Sequence, residues 1–432
     1  MRKNSIIHAP FTLKPSPFPL RCYEEAVEIQ SSINLLVDRL SQDEEFLLSL
    51  RSLLETDEYI SNLFKVLESK DMSEIVCGIN RSDYLLDYKK GYKENWMDEA
   101  ELKQVEINTI SAAFAGLSGK VSQLHDYLEG SNRTINTPVR GIAEAISKCF
   151  LEYNRTSIKS PVCLFLVTEN EGNIFDQRFL EYELEKHGIG SIRRTFKEMK
   201  SLQIKNGNLF LNDLEVFFVY FRAGYAPEHL DAEDWKTRCL IESSKAIKCP
   251  NAAYHLVGMK KVQQVMSQPN FLEKYLSTEE SKRVRRTFTG LYSLDSGEQT
   301  RELLERVKCN AELFVMKPQR EGGGNNIYGK EILRHLPENL SDGLNEYILM
   351  DLIKSPPFES RFVRNEKIEE VQAISELGIY GTFVRKGDSI LHNSVDGYLL
   401  RTKAKDVNEG GVSTGYSVLD SFVPHDHKRK AE

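Results

Sequence analysis

The stretch FVMKPQREGGGNNIYGKE, residues 314–331, reads as an apolar strand running into a cationic, glycine-rich loop. The strand delivers Lys317, then Arg320 and Glu321, then three glycines and two asparagines. Consecutive glycines let a backbone approach a phosphate chain and turn its N–H groups toward it, with no Cβ in the way. Lys317 adds a point charge, and Glu321 is a hard oxygen ligand suited to magnesium. A plain surface hairpin needs only one or two glycines and no charges gathered at the strand end. The pattern therefore points to phosphate binding.

Two familiar nucleotide motifs are excluded nearby. Gly324 to Lys330 satisfies G-x-x-x-x-G-K, but Glu331 follows where a P-loop needs a Ser or Thr hydroxyl for magnesium. Gly188 and Gly190 make half of a dinucleotide fingerprint, without its third glycine.

Further from the loop, Glu106 and Asn108 in QVEINTI fall on one face of a strand, where a carboxylate and an amide oxygen can share a magnesium ion with Glu321. Cationic residues sit in polar settings at Arg81, Arg222, Lys260, Arg401 and Lys403. Together they suit a site for a triphosphate and a peptide carrying carboxylates.

Outward again, the chain of 432 residues carries a formal net charge of -7, with 40% hydrophobic and 28% charged residues. That balance gives no global attraction to nucleic acid or an anionic membrane. The longest apolar run, residues 214–221, is too short for a bilayer and reads as a buried strand. Seven scattered cysteines without a C-x-x-C pair read as free thiols. The sequons at Asn80, Asn132, Asn154 and Asn339 read as unmodified, and His425 with His427 as part of a solvated tail. The N-terminus shows no apolar signal region, which suits a cytoplasmic protein, although a mature secreted form looks the same.

Residues 22–70 read as helical, with Ile29, Ile33, Leu36, Val37 and Leu40 on one face and a capping-box start over residues 41–44. Short apolar runs follow, then helical pattern over 118–160. From 161, strands alternate with helices, as in an α/β unit with a mainly parallel sheet. Two apolar strands flank the first glycine cluster, and NEGGVSTG forms a second glycine-rich loop. Three regions are expected: 1–159, helical with the first catalytic strands; 160–265, a substrate-binding α/β domain; and 266–432, the lid region with a C-terminal catalytic loop.

The motifs GINRSDY, VEINTISAAF, NIFDQR, VYFRAGY, KCPNAA, KKVQQ, FVMKPQREGGGNN, YILM, ISELGIYG and LLRTKA…GGV occur in that order. Together they resemble the eukaryotic glutathione synthetase family of ATP-grasp ligases, from residue 9 to residue 421. The resemblance implies an α/β ATP-grasp fold with an N-terminal helical region, a parallel-sheet substrate domain and a glycine-rich lid. It implies a homodimer that uses ATP and Mg2+ to phosphorylate γ-glutamylcysteine and joins it to glycine through an acyl phosphate. Glu106, Asn108 and Glu321 match the magnesium ligands. Lys260, Lys317, Glu321, Gly322, Gly323, Gly324, Asn325, Asn326, Tyr328, Met350, Asp351, Leu352, Ile353, Glu376, Lys403 and Glu409 match the ATP site. Arg81, Ser111, Ala112, Ala113, Asn173, Gln177, Arg222, Tyr225, Arg401, Val412 and Ser413 fall on the peptide site. Arg401, Lys260 and Lys317 are the catalytic candidates.

Departures from the family's pattern fall on the peptide side. Ala223 stands where the family usually has Asp, Ala113 where it has Ser, and Ser413 and Thr414 where it has two alanines. On the nucleotide side Glu409 replaces Asp. Two rivals follow: the same chemistry on another peptide or small amine, and a nucleotide-binding protein without ligase activity.

Overall fold

The structure is a computed structural model that describes residues 7–51, 57–90, 95–130, 136–154, 160–319 and 324–425. Its largest sheet has seven strands and draws on both ends of the chain. In order they are Phe358–Arg364, Phe11–Thr12, Ser417–Asp420, Ser389–Ala404, Lys367–Lys386, Ile75–Asp87 and Glu101–Asn108. All neighbours are antiparallel except Phe11–Thr12 and Ser417–Asp420, which run parallel.

Helices cover this sheet on both faces. Alternate residues of a strand point to opposite faces, and the packing follows that alternation. Ile379 and Leu400 join the cluster built on the helix Leu20–Gln42, while Tyr380 and Leu399 join the one containing Ile142 and Ile146 of Pro138–Glu152. Ile29, Ile33, Leu36, Val37 and Leu40 are all buried, as their spacing predicts. The predicted start of the next helix needs correction. Its cap is Asp43, whose carboxylate accepts from Phe46 N, and Ser41 instead donates to Asp38 O. An Asp placed directly before the helix outcompetes a Ser that still lies inside the preceding one.

The second sheet has six strands. Ser191–Arg194, Val162–Leu166, Leu214–Phe221 and Ile247–Cys249 pair in parallel, as expected. An antiparallel edge, Leu202–Lys205 with Asn208–Leu211, was not foreseen. Its turn is Asn206–Gly207, both at positive φ, the Asn-Gly signature of a tight hairpin. The third sheet is antiparallel and holds Leu291–Ser293, Tyr347–Asp351, Phe314–Pro318 and Ile327–Tyr328. Asn80 is fully buried in its strand, which bars a glycan there. Among the described residues no helix is long and apolar enough to cross a membrane.

Candidate functional site

The strand Ile75–Asp87 changes character along one face. Cys77 and Ile79 are core, and the next two residues on that face are Arg81 and Asp83. Register then aligns charge across four strands. Arg81 lies opposite Asn108 and Asp83 opposite Glu106 on one side; on the other, Gly378 faces Asp83, and Glu376 faces Arg401. A Cβ on Gly378 would meet Asp83 Oδ1 at 2.6 Å and Arg81 Cδ at 2.8 Å, so glycine makes room for the ion pair.

Asp83 is the hub of this face. Its Oδ1 accepts from Arg81 Nε at 2.7 Å. Its Oδ2 accepts from Arg81 Nη2 at 2.8 Å, Asn108 Nδ2 at 3.0 Å and Arg401 Nη2 at 3.1 Å. Arg401 also donates to Glu376, and Arg81 Nη1 donates to Ala113 O at 3.1 Å. Sequence reading singled out Arg81 but missed Asp83, although spacing by two on a strand puts them on one face.

Two lysines arrive from other elements. Lys260 opens the helix Lys260–Met266 and places Nζ 2.9 Å from Glu106 Oε2. Lys317, on Phe314–Pro318, donates to Val105 O at 2.8 Å. Burial alone would raise the Glu106 carboxyl, but Lys260 and Lys317 hold it well below the ordinary carboxylate range. Burial pushes the Lys317 ammonium down to about 8, against the pull of Glu106 and with help from Lys260. Burial likewise lowers Lys403, and Glu376 opposes it.

The two glycine-rich loops meet over this face. Gly324 N donates to Glu409 Oε2 at 2.9 Å, and Tyr328 Oη to Asn408 O at 3.3 Å. Lys403 Nζ also donates to Asn408 O, and Asn326 Nδ2 to Tyr328 Oη at 3.3 Å. Glu321, Gly322 and Gly323 lie outside the described residues.

A cavity of about 860 Å³ opens on the charged face. Its wall takes Arg81, Glu106, Asn108, Ser111, Ala113, Asn173, Arg222, Tyr225, Asn326, Tyr328, Glu376, Arg401, Lys403, Glu409, Val412 and Ser413 from the sequence-predicted set. Lys260 and Lys317 stand behind Glu106 and Val105 and not in the wall. Gly324 and Asn325 are exposed beyond it. Met350 is buried against Leu291, Val315 and Ile348, with Tyr328 and Ile353 packed on them. Asp351 accepts from Tyr292 Oη at 3.2 Å, and Leu352 N donates to Leu313 O at 2.8 Å. This segment borders the lysine strand rather than the cavity. Ala112 is core, and Gln177 is buried with its oxygen accepting from Arg193 Nη2 at 2.6 Å.

Arg222 directly follows the strand Leu214–Phe221 and is 6% exposed. Its Nε and Nη1 have no hydrogen-bond partner among the described residues, although they are buried. A buried guanidinium with unspent donors is costly unless an anion completes it. Around it, Ser111 Oγ donates to Phe221 O at 2.9 Å. The Asp176 carboxylate accepts from Phe114 N, Gly116 N and Leu117 N at 2.7, 2.9 and 3.0 Å, capping the helix Ala115–Glu129. Asn173 Nδ2 donates to Asp176 Oδ2 at 3.1 Å. Sequence reading missed Asp176 and the cavity segments 168–172, 195–197 and 228–234, which carry no glycine cluster like those of the two loops.

Among the described residues no group of three or more His, Cys, Asp or Glu is placed to hold a metal. Glu106 and Asn108 do offer two oxygen-bearing side chains on one face at the cavity wall, a donor set suited to magnesium in chemistry.

The chain matches the family described as eukaryotic glutathione synthase, ATP binding domain, over residues 1–423. It is 40% identical to a glutathione synthetase of Xenopus laevis, over 96% of this chain and 89% of that one. It is 41% identical to a glutathione synthetase of Rattus norvegicus, over 97% and 90% of the two chains. Among solved structures, a glutathione synthetase-like effector from Globodera pallida in its apo form shares the fold. Its TM-score is 0.76 at 22% identity, covering 97% of this chain and 91% of that one. The chain belongs to the eukaryotic glutathione synthetase family.

Proposed function

We propose that this protein is an ATP-grasp ligase that joins γ-glutamylcysteine to glycine at the expense of ATP. The observation that carries the reading is the pairing, in one cavity, of a buried, incompletely bonded Arg222 with the cationic face of Arg81, Arg401 and Lys403. The first suits a substrate carboxylate; the second suits phosphate oxygens.

In the first step a carboxylate oxygen of γ-glutamylcysteine attacks the γ-phosphorus of ATP, and ADP leaves. In the second the glycine nitrogen attacks the acyl carbon, loses a proton, and phosphate leaves with the C–O bonding pair. Both steps bring anions together, so fixed cations at the developing charge lower the barrier. Lys260 and Lys317 hold Glu106 ionised, and Arg401 stands between Asp83 and Glu376, oriented before substrate arrives. Glu106 and Asn108, with Glu321, would hold a magnesium ion that would supply charge neutralisation at the phosphates. The two loops meeting at Gly324 and Glu409 exclude water that would otherwise hydrolyse the acyl phosphate. Met350 to Ile353, beside Tyr328, serve the base of the nucleotide. The acting form is a homodimer, and the region bounds near 159 and 265 separate the substrate-binding sheet from the rest.

A second reading, the same chemistry on another donor or amine, is favoured by one observation. Ala113, Ala223, Ser413 and Thr414, the positions that depart from the family on the peptide side, all line the cavity. Phosphate release from ATP, scanned with γ-glutamylcysteine over glycine, β-alanine, serine and no amine, tests both. Glycine-dependent release supports the first reading and release only with another amine supports the second. Absence of release with every amine, with nucleotide bound, overturns γ-glutamylcysteine as the donor and with it the first reading.

A further inference from the structure

Gly224 is gripped through the peptide groups on both of its sides by side chains from outside the predicted site. Its carbonyl accepts from Tyr59 Oη at 2.7 Å, and its N–H donates to His229 Nδ1 at 3.3 Å. Tyr59 is buried and reaches in from the helix Glu58–Glu68, whose start is capped by Asp57. Gly224 sits at φ +87, and a Cβ there would approach Phe196 at 3.3 Å. A side chain at this turn is therefore strained.

The turn matters because of what flanks it. Arg222 makes the last backbone contact with the parallel sheet, donating its N–H to Leu166 O at 2.8 Å. After it the chain leaves the ladder, so the direction of Tyr225 depends on how the Gly224 peptide is held. His229 packs edge-on against Tyr225 with ring centroids 4.5 Å apart, and both line the cavity.

We propose that Tyr59 and His229 are positioning residues for the substrate donor, fixing the Arg222–Tyr225 turn that receives its carboxylate. The inference rests on the reading of Arg222 and Tyr225 as donor contacts.

The two grips differ in their response to pH. Tyr59 Oη lies 3.4 Å from His255 Nε2, and burial followed by the Arg238 charge holds that imidazole down to about 3. The Tyr59 grip thus faces a neutral ring throughout the working range. His229 accepts the Gly224 N–H only while neutral, with its proton on Nε2. Burial lowers its pKa below the ordinary value, opposed by Glu228 and Glu171. The charged groups lining the cavity around it are Glu228, Asp231 and Asp234 on its own segment, Glu169 and Glu171 opposite, and Lys197 beside Phe196. Protonation turns Nδ1 from acceptor to donor and sets it against another N–H. The sign follows: the turn is held at neutral pH and loosens only as pH falls through the lowered pKa of His229, below the ordinary histidine value.

The test is steady-state kinetics on the full chain with Tyr59→Phe, His229→Ala and His229→Asn. Loss of one hydrogen bond should raise KM for γ-glutamylcysteine about three- to tenfold, leaving kcat and KM for ATP within about twofold. In the wild type, donor KM should hold steady near neutral pH and climb only below the ordinary histidine value of about 6.5. His229→Asn, whose amide oxygen accepts at any pH, should flatten that climb. Arg222→Lys is the control. If it leaves donor KM unchanged, the assignment of the donor site fails. If it raises donor KM while Tyr59→Phe and His229→Ala do not, the positioning role alone is overturned. Equal rises in both KM values, with a lowered melting temperature, overturn it as well, since they mark general loosening.

Discussion

Asp83→Asn is the substitution that most directly probes the charged face. The Asp83 side chain is 1% exposed and receives four donors: two from Arg81, one from Asn108 and one from Arg401. An asparagine keeps the shape, loses the charge, and turns one oxygen into an N–H₂ group facing guanidinium nitrogens. Arg401 retains Glu376, but Arg81 is left buried with one neutral amide oxygen, the Ala113 carbonyl and the face of Tyr380, 5.9 Å away. Removing one partner of a buried pair costs about 3–5 kcal/mol, because the stranded charge keeps its desolvation penalty. With unfolding entropy near 2.1 cal/mol/K per residue, this chain melts with roughly 0.9 kcal/mol/K, so the midpoint should fall about 3–6 °C. Differential scanning fluorimetry at fixed protein concentration reads this directly. Donor KM should rise in parallel, since Arg81 loses its anchor. The double variant Asp83→Asn, Arg81→Met should be less destabilised than the two single changes added together, because neither leaves a lone charge. A midpoint within about 1 °C of wild type with unchanged KM would show that Asp83 is not the hub described.

Three further outcomes are expected. Lys317 loses its proton near pH 8 in the nucleotide-free protein, so kcat/KM for ATP should fall as pH rises through that value, and Lys317→Arg should carry activity to higher pH. A wild-type profile flat to about pH 9.5 would contradict the role of that charge. Glu409→Ala removes the acceptor of the Gly324 N–H, so amide exchange in residues 324–330 should quicken without nucleotide. Unchanged exchange there would mean that the loops do not hold one another in solution. Of seven cysteines Cys309 alone is exposed, so a native thiol titration should show one fast group, absent in Cys309→Ser. A fast group beyond Cys309 and the half-buried Cys239 would contradict the burial of the other five.

Much of the site was readable because it is written in short, local patterns. Alternation by two placed Glu106 with Asn108 and, though unread, Arg81 with Asp83. Spacing by three and four gave the buried face of Leu20–Gln42, and the Asn206–Gly207 hairpin was equally open to reading. Resemblance across the ordered motifs supplied the family, which the matches over nearly the full chain then established. What the sequence could not order was the partnership between distant elements.

Only the tertiary structure decided that Phe11–Thr12 lies between two strands of the last seventy-five residues, and that Ile75–Asp87 pairs with Lys367–Lys386 in the same sheet. Only it decided that Lys260 meets Glu106, that Arg401 meets Asp83 across 318 residues, and that Tyr59 holds Gly224 across 165. The physical reason is the range of the interactions. Strand and helix periodicity follow from backbone geometry within a few residues, so composition and order determine them locally. Register between distant strands, and the choice of partner for a buried charge, are settled when the whole core closes. Each ion must then find compensation in whatever element the packing brings beside it.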